Sequence, residues 1–272
     1  MEKIYAKKAL GQNFLVDASV LARIVDVAGI ESHDRVLEVG PGRGALTRLL
    51  AARAGRVLAV EIDRQLVPLL RREFAHSDNV AIVEHDILRA DLALLLPPGE
   101  EQWKVVANLP YNISSQVLFL FLDHRHFFSR LILMLQREVG ERLTADPGCK
   151  AYGILTVLCR LHYDISRQFI VRPGSFHPVP KVDSIVLKFD SLPAPRCDVG
   201  DEAFFRRLVK AAFGQRRKTL WNCLKASALG MDDRDVQEAL SNSGIDGGRR
   251  GETLSLEEYA SLSRELLRFR KE

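Results

Sequence analysis

Short apolar runs alternate with stretches of helical periodicity along the first half of the chain. The runs are Val36-Leu37-Glu38-Val39, Val57-Leu58-Ala59-Val60, Val80-Ala81-Ile82-Val83, Val105-Val106-Ala107 and Leu131-Ile132-Leu133-Met134-Leu135. Between or before them, Ala18 to Ala28, Ala45 to Ala52, Arg64 to Phe74 and Ser114 to Leu122 carry apolar residues at helical spacing. Parallel strands need crossover connections, usually helices, and helices on both faces leave a strand no polar side to show. The pattern therefore predicts an α/β fold, a doubly wound and mostly parallel sheet of the Rossmann-like kind. Asp17 and Asp63 stand just ahead of two of the periodic stretches, where an N-cap belongs.

Beyond Leu135 the pattern predicts a surface helix beginning near Gln136, a loop over Thr144 to Lys150 and an apolar helix from Tyr152 to Leu161. Two last strands follow, Phe169 to Val171 and Ile185 to Phe189, separated by a proline-rich loop. Leu192-Pro193-Ala194-Pro195 reads as a linker, and everything after it is helical in period. The expected organisation is a catalytic domain over 1–190 with a basic N-terminal arm, a linker over 191–200 and a smaller all-helical domain over 201–272.

Charge and cysteine content narrow the classes. The net charge of +4 is weak evidence for a polyanionic partner, but its placement is more telling. Arg206, Arg207, Lys210, Arg216, Arg217, Lys218 and Lys225 crowd the helical region, interleaved with Phe204, Phe205, Phe213 and Trp221. The aromatic positions fit a helical core. Arg216, Arg217 and Lys218 have no acid beside them in sequence and are candidates for contact with RNA phosphates, or else form a solvated basic face. Lys7 and Lys8 in the arm are open to the same two readings. The four cysteines lack C-x-x-C spacing, so neither zinc nor a disulfide framework is expected, and no metal is assigned. No apolar segment of signal or membrane-spanning length occurs, so the expectation is a cytoplasmic monomer with no membrane partner.

The candidate chemistry sits where each apolar run ends, the place where open α/β sheets bind ligands. After the first comes Gly40-Pro41-Gly42-Arg43-Gly44, a turn whose glycines admit a ligand close to the backbone. Glu61 ends the second run, about where Rossmann-type proteins put an acid on ribose hydroxyls. Asp86 follows the third and can accept from a ligand amine, and Asn108 ends the fourth. Each has a plainer reading, as a strand end, a turn or a cap, and the glycine turn alone serves NAD equally well. Four such groups at four consecutive strand ends are harder to dismiss.

Asn108-Leu109-Pro110-Tyr111 is the most specific of these signals. An exocyclic amine such as that of adenine is a poor nucleophile because its lone pair is delocalised into the ring. The Asn108 side-chain oxygen and the Leu109 carbonyl can each accept one of its hydrogens and localise that pair. Tyr111 can stack on a base taken out of its helix. Phe176, held in the proline-rich loop, can close the other face of that base or plug a local core.

These residues bring the chain to a resemblance. Gly11-Gln12-Asn13-Phe14-Leu15, Leu37 to Gly44, Glu61-Ile62-Asp63, Asn108 to Asn112, Gln136 to Val139, Phe176 to Val182 and Ala212 to Leu220 resemble the bacterial small-subunit ribosomal RNA adenine N6,N6-dimethyltransferases. That likeness implies a class I methyltransferase using S-adenosylmethionine to dimethylate two adjacent adenines in the 3′-terminal hairpin of 16S rRNA. The immature small ribosomal subunit would be its partner. It implies cofactor contacts from Asn13, Leu15, Gly40, Glu61, Asp86 and Asn108, and base handling by Asn108, Leu109, Tyr111 and Phe176. Gly140 and Arg160 depart from the residues common in the family. The alternatives are a resistance-type methyltransferase acting on 23S rRNA, a DNA adenine methyltransferase, an NAD-dependent oxidoreductase, and a mainly non-catalytic assembly factor.

Overall fold

The computed structural model describes residues 6–7, 10–97, 102–227 and 229–270, so Lys8 of the basic arm lies outside the described residues. The chain divides into two compact units, one of Met1–Gly140 with Asp164–Ser191 and the other of Glu141–Tyr163 with Leu192–Glu272.

In the first unit the apolar runs are strands. β1 (Phe14–Leu15) precedes β2 (Arg35–Val39), β3 (Arg56–Glu61), β4 (Val80–Glu84), β5 (Trp103–Asn108), β6 (Phe128–Gln136), β7 (Tyr163–Val171), β8 (Phe176–His177) and β9 (Ser184–Ser191). Seven of them form one sheet in the order β4-β3-β2-β5-β6-β9-β7. The pairs from β4 through to β6 are parallel, and β9 runs antiparallel to β6. Val36, Leu37, Val57, Ala59, Val105 and Val106 are wholly buried, as strands covered on both faces must be. The chain runs outward from β2 to β3 and β4, then returns to the opposite side of β2 with β5. That reversal creates the switch point at which such sheets open a crevice.

The connecting helices are α1 (Ala18–Ala28), α2 (Ala45–Ala51), α3 (Val67–Glu73), α4 (Leu92–Leu95), α5 (Ser114–Asp123) and α6 (Arg137–Leu143). In α1 the buried side chains are Val20, Leu21, Ile24, Val25 and Ala28. Asp17 caps it as expected, accepting the Ser19 and Val20 N–H groups, a contribution of about 1 kcal/mol. Outside the main sheet, β1 pairs antiparallel with β8, Leu15 opposite Phe176 and Phe14 opposite His177. Two-residue strands have no readable period, so periodicity does not reveal this pairing.

The second unit is helical, as expected after residue 201, and holds α7 (Ile154–His162), α8 (Glu202–Ala212), α9 (Leu220–Lys225), α10 (Asp233–Asn242) and α11 (Leu256–Leu267). Its extent differs from the boundary drawn on the sequence, because residues 141–163 belong to it as well. The cause lies in α7, which buries Thr156, Val157, Leu158, Cys159, Leu161 and His162 and so needs cover on several sides. α8 and α11 supply it. The segment read as a linker is tied down too: Leu192 N–H donates to His162 O and Arg196 N–H to Leu161 O. Among the described residues no helix is long and apolar enough to cross a membrane.

Candidate active site

The ends of β2, β3, β4 and β5 open into one cavity of about 400 Å³, a size suited to a small-molecule cofactor. Residues 38–43, 61–62, 85–88 and 108–113 contribute its walls, and residues 10–16 close one side. All six residues assigned to a cofactor from the sequence, Asn13, Leu15, Gly40, Glu61, Asp86 and Asn108, meet there, as do Leu109 and Tyr111.

The glycine loop is a tight turn. Gly40 and Gly42 have φ of +69° and +59°, a left-handed backbone that disfavours side chains, and a Cβ on Gly42 would stand 2.9 Å from the Phe14 ring. Glu61 braces this loop from the end of β3. Its Oε2 accepts the Gly42 N–H at 3.1 Å and its Oε1 the Asp63 N–H at 2.9 Å. Burial raises the Glu61 carboxyl above its ordinary range, against those two N–H groups. Each oxygen retains acceptor capacity for a ligand hydroxyl.

Glu38 enters the sequence pattern only as part of the Leu37 to Gly44 motif, and the structure gives it more weight. It is 1% exposed, lines the cavity, and its Oε2 has no hydrogen-bond partner among the described residues. Burial pushes its carboxyl up to about 8; the Thr47 hydroxyl opposes this and the neighbouring charge of Glu61 adds to it. A buried carboxylate oxygen without a donor, in the wall of a cavity, is complementary to a cation.

Asp86 accepts the Leu88 N–H at 3.0 Å, which is the capping role, while also lining the cavity beside the apolar side chains of Ile62, Ile87 and Leu88. An amine-bearing aromatic ring suits that combination. Asn108 donates its Nδ2 to the carbonyl of Asn13 at 3.1 Å. Leu109 is anchored by its N–H to Met134 O at 3.2 Å. The Tyr111 hydroxyl shares a hydrogen bond with Ser184 Oγ at 2.7 Å, which restricts its ring; burial raises the Tyr111 hydroxyl above its ordinary range.

The structure does not bring Phe176 to the cavity. Its ring is 2% exposed and packs in the core cluster that holds Leu15, Val20, Leu21 and Val171. The strand pairing with Leu15 turns it inward, so in this arrangement it supports the arm and offers no face to a base.

A family model described as ribosomal RNA adenine dimethylase matches residues 4–267. The chain belongs to that family. It is 62% identical over 98% of its length to a protein named ribosomal RNA small subunit methyltransferase A from Geobacter metallireducens, covering 97% of that protein. A protein of the same name from Clostridium acetobutylicum is 43% identical, over 96% of this chain and 94% of the other. Among solved structures, a dimethyladenosine transferase from Plasmodium falciparum superposes with a TM-score of 0.76 at 25% identity, over 92% of this chain and 95% of that one. The 23S rRNA methyltransferase ErmE gives 0.72 at 29% identity, over 93% and 99%.

Within this ribosomal RNA adenine dimethylase the two departures from the family pattern carry no cost at the cavity. A methyl group on Gly140 would run into the Ile185 side chain, so glycine suits its place. Arg160 makes an ion pair with Asp146 at 3.5 Å. In the helical unit Arg216, Arg217 and Lys218 are all exposed. Arg216 is engaged within that unit, its Nε lying 3.1 Å from Glu252 Oε2 and its Nη2 donating to Lys150 O. No acid lies beside it in sequence, but folding supplies one from 36 residues further on. Gln12 and Asp63 stand in two of the motifs, yet the sequence assigns Gln12 no role and Asp63 only a cap, because what joins them is their contact with each other.

Proposed function

We propose that this ribosomal RNA adenine dimethylase dimethylates N6 of two adjacent adenines in the 3′-terminal hairpin of 16S rRNA, acting on the immature small subunit. The observation that carries the reading is the orientation of Asn108. One of its amide hydrogens goes to the Asn13 carbonyl, and since a carbonyl can only accept, this fixes Nδ2 on that side and makes Oδ1 the acceptor for a substrate N–H.

S-adenosylmethionine, the methyl donor of this enzyme class, supplies when bound a methyl group activated by a positively charged sulfur. The cavity fits such a ligand on three counts: Glu38 offers an uncompensated buried oxygen for a cation, Glu61 offers acceptors for ribose hydroxyls, and Asp86 with Ile62 and Ile87 offers an edge and apolar walls for adenine. The chain's own part in the reaction is positioning. Asn108 Oδ1 and the Leu109 carbonyl take the two N6 hydrogens, withdraw the nitrogen lone pair from the ring and direct it at the cofactor side of the cavity. Tyr111, steadied by Ser184, stacks on the flipped base. As N6 gains its methyl group it loses a proton to water or to one of those acceptors, so no strong base is required of the protein.

Relatives named for the small subunit match at 43–62% identity over nearly the whole chain, against 29% for the structure named for 23S rRNA, and this supports the small-subunit substrate. The test is methylation in vitro with isotopically labelled S-adenosylmethionine, offering immature small subunits, large-subunit RNA and DNA in parallel, followed by mass spectrometry of the digested nucleosides. N6,N6-dimethyladenosine at two neighbouring positions of the small-subunit RNA is expected. Label confined to large-subunit RNA or to DNA overturns the assignment.

A further inference from the structure

Asp63 lies two residues past Glu61 and is not the N-cap expected of it, because α3 begins at Val67 behind Leu66; its Oδ1 instead accepts the Gln65 N–H at 3.0 Å in the turn ahead of the helix. The same carboxylate holds the start of the chain. Lys7 Nζ stands 2.6 Å from Oδ1, with the Asp63 side chain at 0% exposure, and Gln12 Nε2 donates to Oδ2 at 2.9 Å. Gln12 is itself held by the Lys7 N–H, which donates to its Oε1 at 2.8 Å. The Leu10 N–H closes the turn onto Lys7 O at 3.0 Å.

This places a buried carboxylate between two parts of the site. Its own N–H is fixed on Glu61, so the arm is tied to the strand end that carries the acid facing the cavity. Immediately after Gln12 comes Asn13, whose carbonyl receives the Asn108 amide. The arm fits closely at both of its neighbours. A Cβ on Gly11 would lie 2.6 Å from Asn112 Oδ1, and one on Gly42 would lie 2.9 Å from the Phe14 ring. Among the described residues the arm's regular pairing is the two-residue strand β1, continued by the Val16 N–H onto Ser175 O, and a strand of that length holds little by itself.

We propose that Asp63 is a positioning residue whose clasp on Lys7 and Gln12 seats the arm against the cofactor cavity and thereby aims the Asn108 side chain. Burial works to raise the Asp63 carboxyl, but the hydrogen bonds from Lys7 and Gln12 outweigh it and keep the group below its ordinary range. The clasp is therefore ionised, and closed, at neutral pH. Its effect on catalysis rests on the reading of Asn108 given above, whereas its effect on the arm does not.

The experiment compares wild type with Asp63→Asn, Lys7→Met, Gln12→Ala and the Lys7→Met/Asp63→Asn double variant. Hydrogen exchange at residues 10–16 is followed in the full-length protein without ligand, S-adenosylmethionine affinity is measured by titration calorimetry, and kcat and KM are measured on small subunits. Asp63→Asn and Lys7→Met should each speed exchange of the arm and weaken cofactor binding by about tenfold, and the double variant should be no worse than the stronger single one. The kcat should fall in the same variants while KM for RNA stays put, a split that loss of the turn contact to Gln65 would not produce. Lys7→Met and Gln12→Ala leave the Gln65 contact intact, so they carry the test even if Asp63→Asn folds poorly. Wild-type arm exchange and cofactor affinity in Lys7→Met, or strictly additive effects, would overturn the proposal. Faster arm exchange and weaker cofactor binding with unchanged kcat would uphold the clasp and overturn its link to Asn108.

Discussion

Asn108 and Asn13 are joined by a hydrogen bond of 3.1 Å from side-chain amide to main-chain carbonyl, linking the end of β5 to the arm that precedes β1. Replacing Asn108 with Ala should lower kcat by roughly 10²–10³-fold, the usual cost of losing one positioned polar group at a reacting centre. Asn108→Asp should do little better, since its carboxylate would face the Asn13 carbonyl. Labelled-methyl incorporation measures the loss, and unchanged thermal unfolding shows that the fold has survived. Near-normal turnover in Asn108→Ala would remove the base-handling role.

Glu38 makes stability depend on pH. The carboxyl titrates near 4.5 when exposed and at about 8 in the folded protein. Between those values the folded state keeps a proton that the unfolded state has lost, so stability falls as pH rises through this window and levels off above it. The loss is on the order of a few kcal/mol. Glu38→Gln should unfold with a flatter pH dependence, gaining on wild type towards pH 8 and losing that advantage towards pH 5. Denaturant titrations at several pH values check this, and parallel curves for the two proteins would contradict it. Cation binding beside Glu38 favours its ionised form, so calorimetry in buffers of different ionisation enthalpy should show a proton released on cofactor binding at pH 7.

The sheet is legible because burial on both faces of its inner strands calls for largely apolar runs, and the runs ending at Val39, Val60, Val83, Ala107 and Leu135 lie within strands, the edge strand β4 being only half-buried. The ligand-facing groups were legible for a related reason, since a parallel sheet puts the ends of successive strands side by side. What stayed hidden depends on pairs distant in sequence. Leu15 meets Phe176 and Lys7 meets Asp63, and no local pattern marks either partner. Phe176 illustrates the ambiguity, since an aromatic residue in a stiff loop serves a base or a core equally well until the strand opposite it is known. The sequence groups α7 with the first domain because nothing in its neighbourhood changes composition where the chain crosses into the second unit.

Glu61 supports the glycine loop and offers acceptors to a ligand at once, so Glu61→Ala should weaken S-adenosylmethionine binding by about 10²-fold, as expected for loss of charged hydrogen bonds in a buried site. Glu61→Gln, which keeps one oxygen, should fall between Ala and wild type. Titration calorimetry measures both, and an unaltered Kd in Glu61→Ala would place the ribose elsewhere.

Arg217 and Lys218 are exposed, whereas Arg216 is bonded within its own unit. If the first two meet phosphates, Arg217→Ala and Lys218→Ala should each lower the slope of log K against log salt for RNA binding by about one. Arg216→Ala should instead disturb the packing of residues 148–150 against Glu252, visible as faster hydrogen exchange there. Equal salt slopes for all three variants and wild type would move the RNA contact off this turn.

The pairing of Phe14–Leu15 with Phe176–His177 has a bearing on biosynthesis. A chain emerging from the ribosome delivers the arm before the five parallel strands and its strand partner only after them. Until then the methyl-donor pocket has an open side, so the nascent chain completes its catalytic unit by bringing an earlier segment back onto a later one.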